Sequence, residues 1–152
     1  MLNIRISHVA GGVEKTIDIS EDGDRGLNIA PSIGSSAVVA DPVAKLEWSK
    51  TLCDGKSVDY ETAEKACTAL GDGWRVPTRM ELESILDLTR HDPAIDTTRF
   101  PDTNSAWYWT STPCAWDASC AWIVNFLNGN AYNSRRSYGA CVRAVRSVPA
   151  GQ

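Results

Sequence analysis

Five cysteines, Cys53, Cys67, Cys114, Cys120 and Cys141, and two histidines, His8 and His91, are the residues of this 152-residue chain whose side chains offer ligand or nucleophile chemistry. Zinc needs thiolate and imidazole donors converging on one ion, which in sequence shows as pairs such as C-x-x-C. No two of these cysteines have that spacing. A thiolate nucleophile needs a base beside it, and no histidine lies near Cys114, Cys120 or Cys141 in sequence. The odd count also argues against a fully paired disulfide framework. Among carboxylates, Glu81, Glu83 and Asp87 lie close together. Residues 81 and 83 diverge on a helix, however, so they do not form an acid and base pair. The nucleophile elbow, the zinc-protease helix motif and the glycine-rich phosphate and dinucleotide loops are all missing. The chain is therefore expected to be non-catalytic, without metal or cofactor.

Charge and aromatic content point to binding. The net charge is −4. Residues 1–102 hold 11 basic and 18 acidic side chains, whereas residues 103–152 hold Arg135, Arg136, Arg143 and Arg146 against Asp117 alone. Eight of the twelve aromatic residues lie between Trp107 and Tyr138. Four arginines over this stretch make too weak a stripe for nucleic acid. No apolar run approaches the roughly 20 residues of a membrane span. The N-terminus, MLNIRISHVAGG, alternates apolar and polar residues where a secretory signal would be continuously apolar. It is expected to belong to the mature fold of a cytoplasmic or virion-associated protein.

The elements that position these residues can be read along the chain. Leu2, Ile4 and Ile6 alternate with polar residues, and Thr16 to Ile19 repeat the pattern after Gly11-Gly12, predicting a hairpin. Turn-forming stretches follow at 20–26 and 31–36, so residues 1–36 read as a β extension to a domain over 37–152. Residues 37–50 predict two short strands turning at Asp41-Pro42. Asp59 is the expected cap of a helix with Ala63, Ala66, Cys67 and Leu70 on one face, ended by Gly71. Thr78 and Glu81 have the spacing of a capping box ahead of Leu82, Ile85 and Leu86. His91 reads as a residue near the C-terminal dipole end of that helix. Beyond residue 100, WYWTST and AWIVNF have strand character, NGN at 128–130 is a hairpin turn, and CVRAVR suggests a bend. Helices in the middle with strands behind give an α+β class.

The ordered motifs DPVAKLEW (41–48), GWRVPTRMELESILD (73–87), DPAID (92–96), FPDT (100–103), YWTST (108–112), AWIVNF (121–126) and VRAVR (142–146) resemble the Lcl C-terminal domain family over residues 37–146. The resemblance implies a C-type-lectin-like fold, with two helices and a twisted antiparallel sheet, similar to that of formylglycine-generating enzymes. The frame YWTST…AWIVNFLNGN…VRAVR further resembles the variable proteins of diversity-generating retroelements. There, mutagenic reverse transcription turns a template AAC codon into NNC, which cannot encode Lys, Glu, Gln, Met or Trp. Residues between the framework pieces comply, apart from Trp116.

That resemblance implies a variable region over about 113–141 that recognises a protein or cell-surface ligand. Alternation in AWIVNFLNGN would turn Trp122, Val124 and Phe126 inward and Ile123, Asn125 and Leu127 outward. The expected contact residues are Trp116, Asp117, Ile123, Leu127, Tyr132, Ser134, Arg135, Ser137, Tyr138 and Gly139, and the expected scaffold residues are Trp48, Trp74, Leu82, Leu86, Trp109, Trp122 and Phe126. Calcium-dependent sugar binding is not expected, because Asp117 is the sole carboxylate of the last fifty residues. The alternatives are a lectin-fold enzyme, for which Cys120 and Cys141 would have to meet, and a domain for assembly.

Overall fold

A computed structural model describes residues 3–10 and 13–20 as paired strands, and residues 38–148 with their side chains. The chain divides into two units, Met1–Ser32 and Ile33–Gln152. In the first, β1 (Asn3–Ala10) and β2 (Val13–Ser20) are antiparallel, with Ile4 opposite Ile19, Ile6 opposite Ile17 and Ala10 opposite Val13. The Gly11-Gly12 turn, the turn residues beyond Ser20 and the loop at 31–36 lie outside the described residues.

The described residues of the second unit are α+β, with two α-helices and two three-stranded antiparallel sheets. β3 (Val39–Asp41) and β4 (Leu46–Thr51) form the predicted hairpin. Asp41 shapes its turn, its Oδ1 accepting from the N–H groups of Val43 and Ala44. β4 then pairs with β8 (Arg143–Ser147) from the far end of the chain. The other sheet runs in the order β5 (Trp107–Cys114), β6 (Asp117–Asn125), β7 (Ala131–Arg135), with the β6–β7 reversal at Gly129, where φ is 85°.

α1 (Tyr60–Thr68) starts where Asp59 accepts from the Thr62 N–H at 2.8 Å. Its Tyr60, Ala63 and Cys67 are buried. The helix stops before Leu70, which is therefore exposed and not part of the apolar face that the spacing suggested. α2 (Arg79–Ser84) starts with the predicted capping box: Thr78 Oγ1 accepts from the Glu81 N–H, and Glu81 Oε1 accepts from the Thr78 N–H at 2.8 Å. Arg75 adds two guanidinium hydrogen bonds to the same carboxylate, each 2.7 Å. Leu82 and Ile85 are buried, while Leu86 is half-buried past the helix end. His91, exposed in the loop beyond, lies seven residues past Ser84 and so outside the last turn of the helix.

Two apolar clusters form the core. Leu82 of α2 and Ile85 just past its end pack with Tyr108, Val124 and Phe126, and Trp48 and Val145 of the other sheet join them. Tyr60, Ala63 and Cys67 of α1 pack with Trp109, Ala121, Ile123 and Val142. Consecutive residues of a strand point to opposite faces. Tyr108 and Val124 in one cluster, and Trp109 and Ile123 in the other, therefore mean that the β5–β6 pair is covered on both sides. No described helix is long and apolar enough to cross a membrane.

Candidate binding surface at the β5–β6 tip and the β7 edge

The sandwiched sheet corrects one predicted contact residue directly. Ile123 is only 7% exposed and packs in the α1 cluster, so it cannot touch a ligand. Alternation had turned it outward on the premise that one sheet face meets solvent, as antiparallel sheets often do. Here α1 covers that face.

The remaining predicted contact residues are exposed or half-buried, and they divide between two ends of the sheet. At one end, Cys114 pairs with Asp117, leaving Ala115 and Trp116 as the turn between β5 and β6. Trp116 is 66% exposed and meets Trp122 edge to face, with ring centroids 5.8 Å apart. The Arg79 guanidinium lies 4.3 Å from the Trp122 ring, and its Nε donates to Glu83 Oε1 at 2.8 Å. A cation on one aromatic ring and a second ring against its edge make a continuous stacked group that begins on α2 and ends in solvent. Trp122, expected in the scaffold, is half-buried at its centre.

Asp117 accepts from the Ser119 N–H at 2.9 Å and from the Ser119 hydroxyl at 2.7 Å. These bonds favour the charged form and hold its carboxyl below the usual range. Across the sheet, Arg135 pairs with Cys120, and its charge also favours ionised Asp117.

β7 is the edge strand, and its residues alternate between the two faces. Tyr132 lies opposite Ile123 and Ser134 opposite Ala121, whereas Asn133 lies opposite Trp122. Directly opposed residues share a face, so Tyr132 and Ser134 stand on the α1 side, and Asn133 and Arg135 on the Trp122 side. Tyr132 is 63% exposed because, among the described strands, β7 pairs with β6 alone. Ser137, Tyr138 and Gly139 are exposed in the turn that follows, where the Tyr138 N–H donates to the Arg135 carbonyl at 3.0 Å. Gly139 has little room: a Cβ there would lie 3.2 Å from Ser57 Cβ. Leu127, 41% exposed, sits beside the β6–β7 turn, at the other end of β6 from Trp116. Ile123, buried, therefore adds nothing to the exposed surface of Tyr132 and Tyr138.

The charge of the last third is also used differently from what its sum suggests. Arg143 is 1% exposed, and it donates to the Ser49 carbonyl at 2.7 Å, Thr103 Oγ1 at 2.9 Å and Asp102 Oδ1 at 3.2 Å. Arg146 pairs with Glu47 at 2.6 Å and covers the Trp74 ring. Arg136 lies 4.3 Å over the Tyr60 ring. Of the four arginines only Arg135 is exposed.

Cys120 and Cys141 do not meet. Cys120 lies beside Asp117 and Cys114, while Cys141 donates towards the Gly55 carbonyl near Cys53. Burial pushes the Cys67 thiol up to about 12 and raises Cys114 and Cys141 as well, so none of the three is activated as a catalytic thiolate would be. Among the described residues, no three His, Cys, Asp or Glu side chains converge as metal ligands would.

No curated protein matches the chain. The Lcl C-terminal domain model matches residues 37–146, the stretch that holds both helices and every strand from β3 onward except its last residue, and the chain belongs to that family.

Proposed function

We propose that this protein is a non-catalytic receptor on a C-type-lectin-like scaffold, with a C-terminal surface diversified by a retroelement to recognise a protein or cell-surface ligand. The observation that carries this reading is the exposure of Trp116, Tyr132 and Tyr138, each at least 60% open, on a segment that also exposes Arg135, while Trp109, Ile123, Val124 and Phe126 of the same sheet region are buried. Exposed aromatic residues beside an arginine have the composition of binding hot spots. Their backbone is fixed from below. The Arg136 N–H donates to the Ser119 carbonyl, and the Tyr60 N–H donates to the Arg136 carbonyl, so β7 and its turn are tied to β6 and α1 whatever side chains stand outside. The contact set is Trp116, Asp117, Tyr132, Ser134, Arg135, Ser137, Tyr138 and Gly139, with Leu127 apart from it. Trp122 and Arg79 support Trp116 from beneath.

Two experiments test the reading. A library randomised at Tyr132, Ser134, Arg135, Ser137 and Tyr138 should consist mainly of members that unfold cooperatively near the parent midpoint, and selection against an immobilised test protein should enrich binders. Widespread unfolding would overturn the receptor. Sequencing the flanking DNA should find a near-identical template repeat, differing at adenines, beside a reverse-transcriptase gene; their absence would remove diversification.

A further inference from the structure

Two of the five thiols sit together at the base of the Trp116 tip. β5 and β6 pair Pro113 with Ala121, and on the tip side of that rung the next residue of each strand is a cysteine, Cys114 and Cys120. That rung brings the two strands to within about 4.5–5.5 Å at their Cα atoms, and each cysteine is one residue from it. The register shifts at this point, so that Cys114 itself opposes Asp117 and Ala118 to Cys120 are the extra residues of β6. Ala115 to Ser119 are all exposed, yet both thiols are buried. The Cys120 Sγ lies 3.6 Å from Asp117 Oδ2 and 4.0 Å from Ser119 Oγ, which holds it under the tip. Burial raises the Cys114 thiol, and the neighbouring Cys120 and Asp117 raise it further. The other cysteines form a separate neighbourhood, with Cys53 adjoining both Cys67 and Cys141. All five are free thiols in this structure.

We propose that Cys114 and Cys120 are a redox pair that closes a disulfide across the base of the Trp116 tip. The oxidant is a small-molecule disulfide of the glutathione class. One cysteine, deprotonated at mildly alkaline pH, attacks that disulfide, forming a mixed disulfide and releasing one reduced thiol. The second cysteine thiolate attacks the protein sulfur of the mixed disulfide and expels the other reduced thiol. Both cysteines are thereby oxidised, the small disulfide is reduced, and the two cysteine protons leave on the two released thiols. The bond closes a ring over residues 114–120 and restricts the conformations open to Trp116 and Asp117.

The test uses the full chain and needs no ligand, so its failure is distinguishable from failure of the receptor reading. The protein is incubated with excess oxidised glutathione at mildly alkaline pH, quenched in acid, alkylated in denaturant and mapped by mass spectrometry. The expected product has lost two hydrogens, is protected from alkylation at Cys114 and Cys120 only, and reverts with dithiothreitol. Amide hydrogen exchange over 115–119 should slow several-fold on oxidation. Cys114→Ser and Cys120→Ser should each leave a stable glutathione adduct on the remaining partner. A bond through Cys53, Cys67 or Cys141, a persistent adduct at Cys114 or Cys120 of the unsubstituted chain, complete alkylation of both, or unchanged exchange at the tip would overturn the proposal.

Discussion

Ile123 on β6 and Tyr132 on β7 oppose each other on one rung of one sheet, but the first is 7% exposed and the second 63%. The difference is lateral. β6 has a strand on each side, and its residues enter the α1 cluster on one face and the α2 cluster on the other; β7 has a single strand neighbour. Freedom to change a side chain therefore follows position across the sheet, not alternation along the strand.

The contrast is sharpest where truncation removes packing. Ile123→Ala should destabilise by about 3 kcal/mol, the middle of the range for an aliphatic core residue, and urea denaturation should show the midpoint falling with an unchanged slope. A loss below about 1 kcal/mol would mean that the α1 side of β6 is loosely packed and that the contrast with β7 is false.

The other sheet offers a second way to break the comparison, because its strength comes from a charge. Arg143 is buried with Asp102 beside it, and the Asp102 carboxylate also accepts from the Thr51 N–H. Removing one partner of a fully buried pair costs about 3–5 kcal/mol. Asp102 is partly open to solvent, which screens the orphaned guanidinium, so Asp102→Ala should cost about 2 kcal/mol. Added salt should leave the Arg143–Asp102 contribution largely intact, in contrast to an exposed pair such as Lys65–Glu61.

These two sites also mark where sequence reading succeeded and stopped. The Asp59 cap and the Thr78–Glu81 box were legible because their hydrogen bonds span three residues, and the spacing alone carries the geometry. The α+β class, the 128–130 turn and the Asp41-Pro42 turn were legible for the same local reason. Ile123 was misread because a strand pattern does not say how many of its faces will be covered. The burial of Arg143 is not legible in sequence because its partners, Asp102 and Ser49, lie 41 and 94 residues away. Trp122, expected to face the core, is half-buried and lies in neither apolar cluster, because its place beneath Trp116 depends on Arg79 from another element.

Glu81 separates local from long-range stabilisation by pH. Burial would raise its carboxyl, but the Arg75 guanidinium and the Thr78 N–H outweigh that and hold it below its ordinary value of 4.5. A folded value lower than the unfolded one means that the ionised group stabilises fully above about pH 5, and that this contribution fades as pH falls through the lowered value. Glu81→Gln should cost about 1 kcal/mol at neutral pH, as capping residues do, and thermal midpoints between about pH 5 and 3 should fall less steeply than in the parent. An identical pH slope would remove Glu81 from the acid response.

The smallest expected effects decide whether the β7 edge is a surface that can vary. Tyr132→Ala and Tyr138→Ala should each change stability by no more than about 0.5 kcal/mol, as substitutions at exposed sites do. Arg136, between them in sequence, supplies an internal control, because its guanidinium covers the Tyr60 ring and Arg136→Ala should cost about 1 kcal/mol. The three variants share one short segment, so differences in local backbone or solvent do not confound them. If Tyr132→Ala were as costly as Arg136→Ala, the ring would be packed against the α1 side and Tyr132 would belong with Ile123. If both tyrosine variants were silent while Arg136→Ala was not, fixed and replaceable side chains would alternate within a few residues, as a surface that changes its contacts without losing its backbone requires.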